Sequence, residues 1–278
     1  MKKMTLNNGV EIPIFMLGTN IQNKDLLKKV VYAALNEGCR AFDTSPNYQS
    51  GAWLGEILQW AMSDLGLKRE ELFIQTKLDW KDMISNRVEK AFSEMLKTMR
   101  LTYVDAYVMH WPQPDTFVES YHTMEMLYHG GATRAIGVSN FLIRHWLKLF
   151  DSNITVIPQI NQIELHPLRT CDELLEFCKI KGIVTESYSP ICKMVPELKN
   201  NKLLLELSHT YDCSVPQLIL AWHICKGLIP INKTTKPLRI RENMAGMQIN
   251  LSAEDIARIG ALNRGYKLIV ESFGCPGF

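Results

Sequence analysis

DAYVMHWP, residues 105–112, decides the fold. A mostly apolar run, AYVM, leads straight into a histidine, a tryptophan and a proline. Such a run reads as a buried strand, and a buried strand has no ordinary use for a histidine at its end. Either His110 is a satisfied core residue, or the strand delivers it to a site.

The neighbouring sequence repeats the pattern. An apolar strand at 104–110 precedes a helical stretch at 116–129, and a strand at 71–78 precedes one at 85–99. In the other direction, strands in TRAIGVSN (133–140), VIPQINQIEL (156–165), IVTESYSP (183–190) and LIPINKTT (228–235) are each followed by helical periodicity. Helices are expected at 141–150, 171–181, 200–209, 215–226 and 237–246. Upstream, IFMLGTN and CRAFDT are strands, with helices at 24–37 and 52–62. The Asn8-Gly9 pair marks an N-terminal β-hairpin, and an extra amphipathic helix covers 252–262. Strands separated by helices are parallel, because the crossover uses up the return path. Eight such units predict an α/β fold, a single closed (β/α)8 TIM barrel over residues 1–278. No Pro/Gly/Ser-rich linker divides the chain. There is no GxGxxG after the first strand and no GxxxxGK[ST], so the phosphate-binding turns of Rossmann and P-loop folds are missing.

Composition narrows the function. The 278 residues are 46% hydrophobic and 22% charged, with a formal net charge of +2. Basic residues alternate with acids, so no nucleic-acid partner is expected. No apolar run approaches the ~20 residues that span a bilayer, and MKKMTLNNGVEIP lacks the apolar core of a secretory signal. The expectation is a cytoplasmic protein. Seven cysteines, without a CxxC, indicate neither a disulfide framework nor a zinc site.

Barrel active sites gather at the C-terminal ends of the strands. Those ends carry Asp43 with Tyr48 just after it, Lys77, His110, Ser139-Asn140, Asn161-Gln162, Tyr188-Ser189 and Lys233-Thr234-Thr235. Taken singly, Asp43 is a turn residue, Lys77 a solvated strand end and His110 a structural histidine. Together, Asp, Tyr, Lys and His suit one task. A tyrosine hydroxyl has a pKa of about 10, too high for easy proton exchange near neutrality. A lysine ammonium beside it favours the phenolate. At an effective dielectric of about 20, a charge pair at about 4 Å is worth roughly 4 kcal/mol, a ceiling of about three pK units. An aspartate keeps that lysine charged, and a histidine can hold a carbonyl oxygen. The set is a device for protonating a carbonyl oxygen, and it lacks only a hydride source.

At this point the chain resembles the aldo-keto reductases. The resemblance rests on GCRAFDTSPNY (38–48), Lys77 in FIQTKL, HWP (110–112), AIGVSNF (135–141), NQIELHP (161–167), ESYSP (186–190) and KTTKPLRIREN (233–243), all in register. It implies a short-tailed, prokaryote-like NADPH-dependent reductase of aldehydes or ketones, a monomer acting on a small-molecule carbonyl substrate. It implies Tyr48 as general acid/base, Asp43 and Lys77 lowering its pKa, and His110 orienting the carbonyl. Ser139, Asn140 and Gln162 would hold the cofactor's carboxamide, and Tyr188 would stack on its nicotinamide. Ser189, Lys233, Thr234, Thr235, Arg239, Glu242 and Asn243 complete the cofactor set, with Lys233, Thr234 and Arg239 on the 2′-phosphate and Glu242 and Asn243 on the adenine.

The phosphate assignment also has a physical basis. KTTKPLRIREN places cations and hydroxyls before a helix opened by Pro237, whose free N–H groups and dipole attract an anion. NADPH carries the extra phosphate that NADH lacks, so NADPH/NADP+ is the expected cofactor pair.

The chain departs from the family at several places. Asn20 stands where a tryptophan is common and suggests a wider or more polar substrate pocket, with Trp111 as a second candidate wall. Ser50-Gly51 replaces a usual Asn-Glu, Asn232 stands where a proline usually precedes the lysine, and Cys192-Lys193 replaces a glycine-containing pair. Tyr266, Phe273 and Phe278 are the tail aromatics available to cover the mouth. Two other readings fit the barrel. One is a non-catalytic, NADPH-binding redox-sensing subunit. The other is a metal-dependent hydrolase, which would need an HxH-type ligand cluster that the sequence does not contain.

Overall fold

The computed structural model describes residues 2–269. A hairpin of β1 (Lys3–Thr5) and β2 (Glu11–Pro13) pairs antiparallel, with Lys3 opposite Pro13. The Gly9 N–H donates to the Leu6 carbonyl, and Gly9 has φ +84°, so the left-handed residue that closes this turn is the glycine.

Eight strands follow: β3 (Met16–Gly18), β4 (Ala41–Asp43), β5 (Phe73–Leu78), β6 (Val104–Met109), β7 (Thr133–Ser139), β8 (Ile160–Glu164), β9 (Val184–Tyr188) and β10 (Ile229–Asn232). They form a closed barrel in chain order, every pair parallel, with β10 joined to β3. The (β/α)8 barrel, its hairpin and the helix beyond the last barrel unit are therefore present.

The helices are amphipathic and pack outside. In α1 (Lys24–Asn36) the buried Leu27, Val30, Val31, Ala34 and Leu35 form one stripe. Asn23 caps it by accepting from the Leu26 N–H, and Gly38 at φ +86° follows its end. The next helices are α2 (Gly51–Leu65), α3 (Trp80–Ile84), α4 (Val88–Met99), α5 (Phe117–His129), α6 (Ile143–Phe150) and α7 (Asp172–Ile180). Then come α8 (Pro196–Lys199), α9 (Lys202–Thr210), α10 (Val215–Cys225), α11 (Leu238–Gly246) and α12 (Ala253–Gly260). Two expectations need adjusting. The stretch expected as one helix at 85–99 is α4 alone, and Asp79 caps the separate one-turn α3 before it. The short α8 also precedes the helix expected at 200–209.

The core has two layers. A large one fills the space between barrel and helices. A smaller one lies inside the barrel, where Met16, Ala41, Phe73, Ala106, Val108, Ala135, Ile160, Val184, Ile229 and Ile231 meet Leu6 and Ile12 of the hairpin segment. The hairpin thus stoppers the N-terminal end. Side chains alternate along a strand, so the inward set on β6 that begins with Ala106 and Val108 continues to His110. The apolar filling ends where the polar strand ends begin.

Candidate active site

The C-terminal mouth gathers the expected residues. Asp43 is the last residue of β4 and Lys77 the penultimate residue of β5; both are buried. The Lys77 Nζ donates to Asp43 Oδ1 at 2.5 Å and to the Thr44 carbonyl at 3.2 Å. A single 3-10 turn, Pro46–Tyr48, brings Tyr48 over this pair. Lys77 Nζ lies 5.4 Å from the centroid of the Tyr48 ring. The rings of Tyr48 and His110 stand edge to face, 6.4 Å apart.

The electrostatics separate these groups. For Lys77, burial alone favours the neutral amine, but Asp43, Tyr48 and Glu186 more than offset it and raise its pKa. Lys77 is an ammonium. Burial pushes Tyr48 above its ordinary pKa; Lys77 pulls it back, and Asp43 adds to the rise. The net lowering expected for Tyr48 is therefore not found. Lys77 acts in the expected direction, but desolvation of the half-buried phenol outweighs it. Burial, helped by the Lys77 charge, drives His110 down to about 3. His110 is a neutral imidazole whose Nδ1 meets Ser45 Oγ at 3.3 Å. With Ser45 donating to Nδ1, Nε2 carries the ring proton and can donate it to an oxygen.

The next strand ends hold one another. Asn140, at φ +64°, donates from Nδ2 to the His110 carbonyl and to Ser139 Oγ, and its Oδ1 accepts from the Tyr188 hydroxyl at 3.0 Å. Ser139 Oγ donates to the Gln162 carbonyl at 2.8 Å. One set of bonds thus spans β6 to β9 and pins the Tyr188 ring. Trp111 is buried and stacks at 28° on His110, 6.2 Å away. Asn20 is exposed at the rim, where Gln22 donates to its Oδ1 and to the Tyr48 carbonyl.

A separate cavity of about 510 Å³ lies beside β10 and α11. Lys193, Lys199, Lys233, Arg239, Glu242 and Asn243 line it, with Thr234. Among the described residues none of these four cations is ion-paired. The first turn of α11 has no side-chain cap. Glu242 is held by the Ser214 hydroxyl at 2.9 Å, and the Asn232 amide nitrogen is buried without a partner. An anion suits this donor set. Thr235 is exposed and does not line the cavity. The segment that carries Lys193 is strained: Ser189, Cys192, Lys193 and Met194 all have φ near +50°. Of the tail aromatics, Tyr266 lies 6.2 Å from the buried His166 ring. Phe273 and Phe278 lie outside the described residues.

Sequence reasoning missed several residues. Gln75 and Glu186 sit in the barrel beneath Lys77 and Tyr188, each two positions upstream and on the same face. Reading every second position down from a site residue would have found them. Ser45 behind His110 and Lys199 in the cation cavity were also missed; Lys199 carried no local signal.

The family model described as the aldo/keto reductase family matches residues 15–264. A glyoxal reductase of Bacillus subtilis is 36% identical over 260 residues, covering 93% of this chain and 92% of its own length. A methylglyoxal reductase of Salmonella typhimurium is 36% identical over 265 residues, covering 95% and 94%. Among solved structures, the crystal structure of a Bombyx mori aldo-keto reductase in complex with NADP matches with a TM-score of 0.90 and 33% identity. It covers 96% of this chain and 94% of that one.

Proposed function

The chain belongs to the aldo/keto reductase family, and from that premise we propose that it reduces an aldehyde or ketone to an alcohol with NADPH, Tyr48 supplying the proton. The observation that carries this reading is the Lys77–Asp43 pair, buried directly beneath a tyrosine that faces a neutral histidine. NADPH, when bound, supplies the hydride. The rest is the work of this chain.

His110 donates its Nε2 hydrogen to the substrate oxygen and sets the carbonyl's direction. Tyr48 transfers its phenolic proton to that oxygen as negative charge develops on it. Its raised pKa keeps the phenol protonated at neutral pH, which is the state a proton donor must start from. Lys77 then stabilises the phenolate, and Asp43 holds Lys77 charged and in place. Ser139, Asn140 and Gln162 would hold the carboxamide end of the cofactor, and the Tyr188 ring would support the nicotinamide. Lys233, Thr234 and Arg239 would take the 2′-phosphate, with Glu242 and Asn243 on the adenine. The unpaired cations of that cavity support NADPH over NADH. Asn20 and Trp111 flank the substrate, and the exposed polar Asn20 suits small polar carbonyl compounds.

We further read the chain as one domain, a monomer whose mouth is built wholly from its own strand ends. The unbridged thiols among the described residues suit a reducing cytoplasm. The test is titration of the purified protein with NADPH and with NADH by tryptophan fluorescence, followed by NADPH consumption over a panel of aldehydes and ketones. NADPH binding tighter than NADH by tenfold or more, with consumption of at least one carbonyl, is the result expected. Binding without consumption would favour a nucleotide-sensing protein, and absence of binding would end the proposal.

A further inference from the structure

Beneath the mouth, two amides and two carboxylates form a closed square. Gln75 Nε2 donates to Asp43 Oδ1 at 3.0 Å and to Glu186 Oε2 at 2.7 Å. Gln162 Nε2 donates to the same two atoms, at 3.2 and 2.8 Å. Each amide nitrogen has two hydrogens, so each gives one to Asp43 and one to Glu186. All four residues are buried.

We propose that Glu186, seconded by Gln75, is a positioning residue that locks the Gln162 amide with its nitrogen down and its oxygen toward the mouth. The proposal rests on the reductase reading, in which Gln162 meets the cofactor's carboxamide.

The orientation follows from charge. Above the Glu186 pKa of about 7, turning the Gln162 amide over would set its carbonyl oxygen against two carboxylate oxygens. Repulsion then replaces two hydrogen bonds in a buried site, where such terms are large. With the nitrogen committed, the Gln162 oxygen remains as an acceptor, and it matches the N–H2 of a carboxamide. Asp43 alone would hold it weakly. Its Oδ1 also receives Lys77 and Gln75, and its bond to Gln162 is the longest of the four. Glu186 makes the shorter bond and is the anchor.

The square also has a cost. Gln75 Oε1 and Glu186 Oε1 are buried without partners. Orphaned buried acceptors are uncommon, and an apolar pair at positions 75 and 186 would avoid them. Their presence fits a role that apolar residues cannot fill. Glu186 sits on β9 two residues before Tyr188 and touches no reacting atom, so its effect passes through Gln162 and Asp43.

The test is a double-mutant cycle on NADPH affinity, read by tryptophan fluorescence without turnover. Glu186→Leu is expected to weaken NADPH binding about tenfold, because a freed amide can present N–H2 to N–H2. Glu186→Gln still offers a carbonyl oxygen to both amides and is expected to stay within about threefold of the wild type. In a Gln162→Leu background, Glu186→Leu is expected to have almost no further effect. If the two substitutions multiply instead, or Glu186→Leu binds NADPH as the wild type does, the proposal is wrong. Where Glu186→Leu does not fold, Gln75→Leu takes its place in the same cycle, with a smaller loss that must also vanish beside Gln162→Leu. Failure of the wild-type chain to bind NADPH would overturn the reductase reading itself. Wild-type binding with independent substitutions would overturn only this inference.

Discussion

Asp105 and His110 stand at opposite ends of β6, and the barrel uses them in opposite ways. At the foot, the Asp105 carboxylate is fully buried and saturated. Arg69 reaches Oδ2 at 2.8 Å, Arg134 reaches Oδ1 at 2.8 Å, and the Ile74 N–H adds a third donor at 2.9 Å. Its bonds tie β6 to its surroundings and leave it nothing to offer a ligand. At the mouth, His110 makes one side-chain hydrogen bond among the described residues, to Ser45, and is kept neutral by burial and by Lys77. Buried polarity at the foot is spent on structure, whereas at the mouth it is left with open valences. Buried polarity in a barrel therefore becomes functional not through burial alone but through incomplete pairing.

This contrast can be broken experimentally. The largest effect is expected from Lys77→Met, which removes the charge that pairs Asp43 at the mouth. The substitution strips Tyr48 of its cation and leaves Asp43 buried and unpaired. Turnover should fall roughly 10²- to 10⁴-fold, and stability by about 3–5 kcal/mol, measured by steady-state kinetics and urea unfolding. Asp105→Asn is next. It removes the charge that pairs Arg69 and Arg134, with an expected cost of about 3 kcal/mol. The kcat/KM of the folded fraction should stay within about twofold of the wild type. If instead it fell tenfold or more while the protein stayed folded, foot and mouth would not be separable.

The smallest effect concerns Glu186, which burial and the neighbouring Asp43 push up to about 7. A carboxyl whose pKa is higher in the folded state than in the unfolded one favours folding at low pH. That contribution is lost as pH rises through about 7. The ceiling is on the order of 3 kcal/mol for a shift of this size. The unfolding midpoint of the wild type should therefore drop more between pH 5.5 and pH 8 than that of Glu186→Gln. Parallel pH curves for the two proteins would show that Glu186 does not titrate in this range.

The barrel was legible because eight apolar runs alternate with amphipathic stretches, and β6 shows most plainly how such a run stops at a polar residue. Asp43, Lys77 and His110 were legible for the same reason, as polar residues ending apolar strands. Gln75 and Glu186 were not. In FIQTKL and VTESYSP the polar residues are consecutive, so no one-sided pattern marks them, and only the step of two down from Lys77 and from Tyr188 picks them out. The Tyr48 pKa was misjudged because the charge partners can be read from spacing but the depth of burial cannot. The helix α3 escaped because one turn is shorter than any periodicity can register.

The most direct test of Tyr48 as the proton donor is Tyr48→Phe, with NADPH affinity and carbonyl turnover measured on the same preparation. The phenyl ring preserves the shape of the mouth and removes only the hydroxyl. NADPH affinity within about twofold of the wild type, with turnover reduced roughly 10²- to 10⁴-fold, is the expected result. Turnover close to that of the wild type would contradict it and require another group to protonate the substrate.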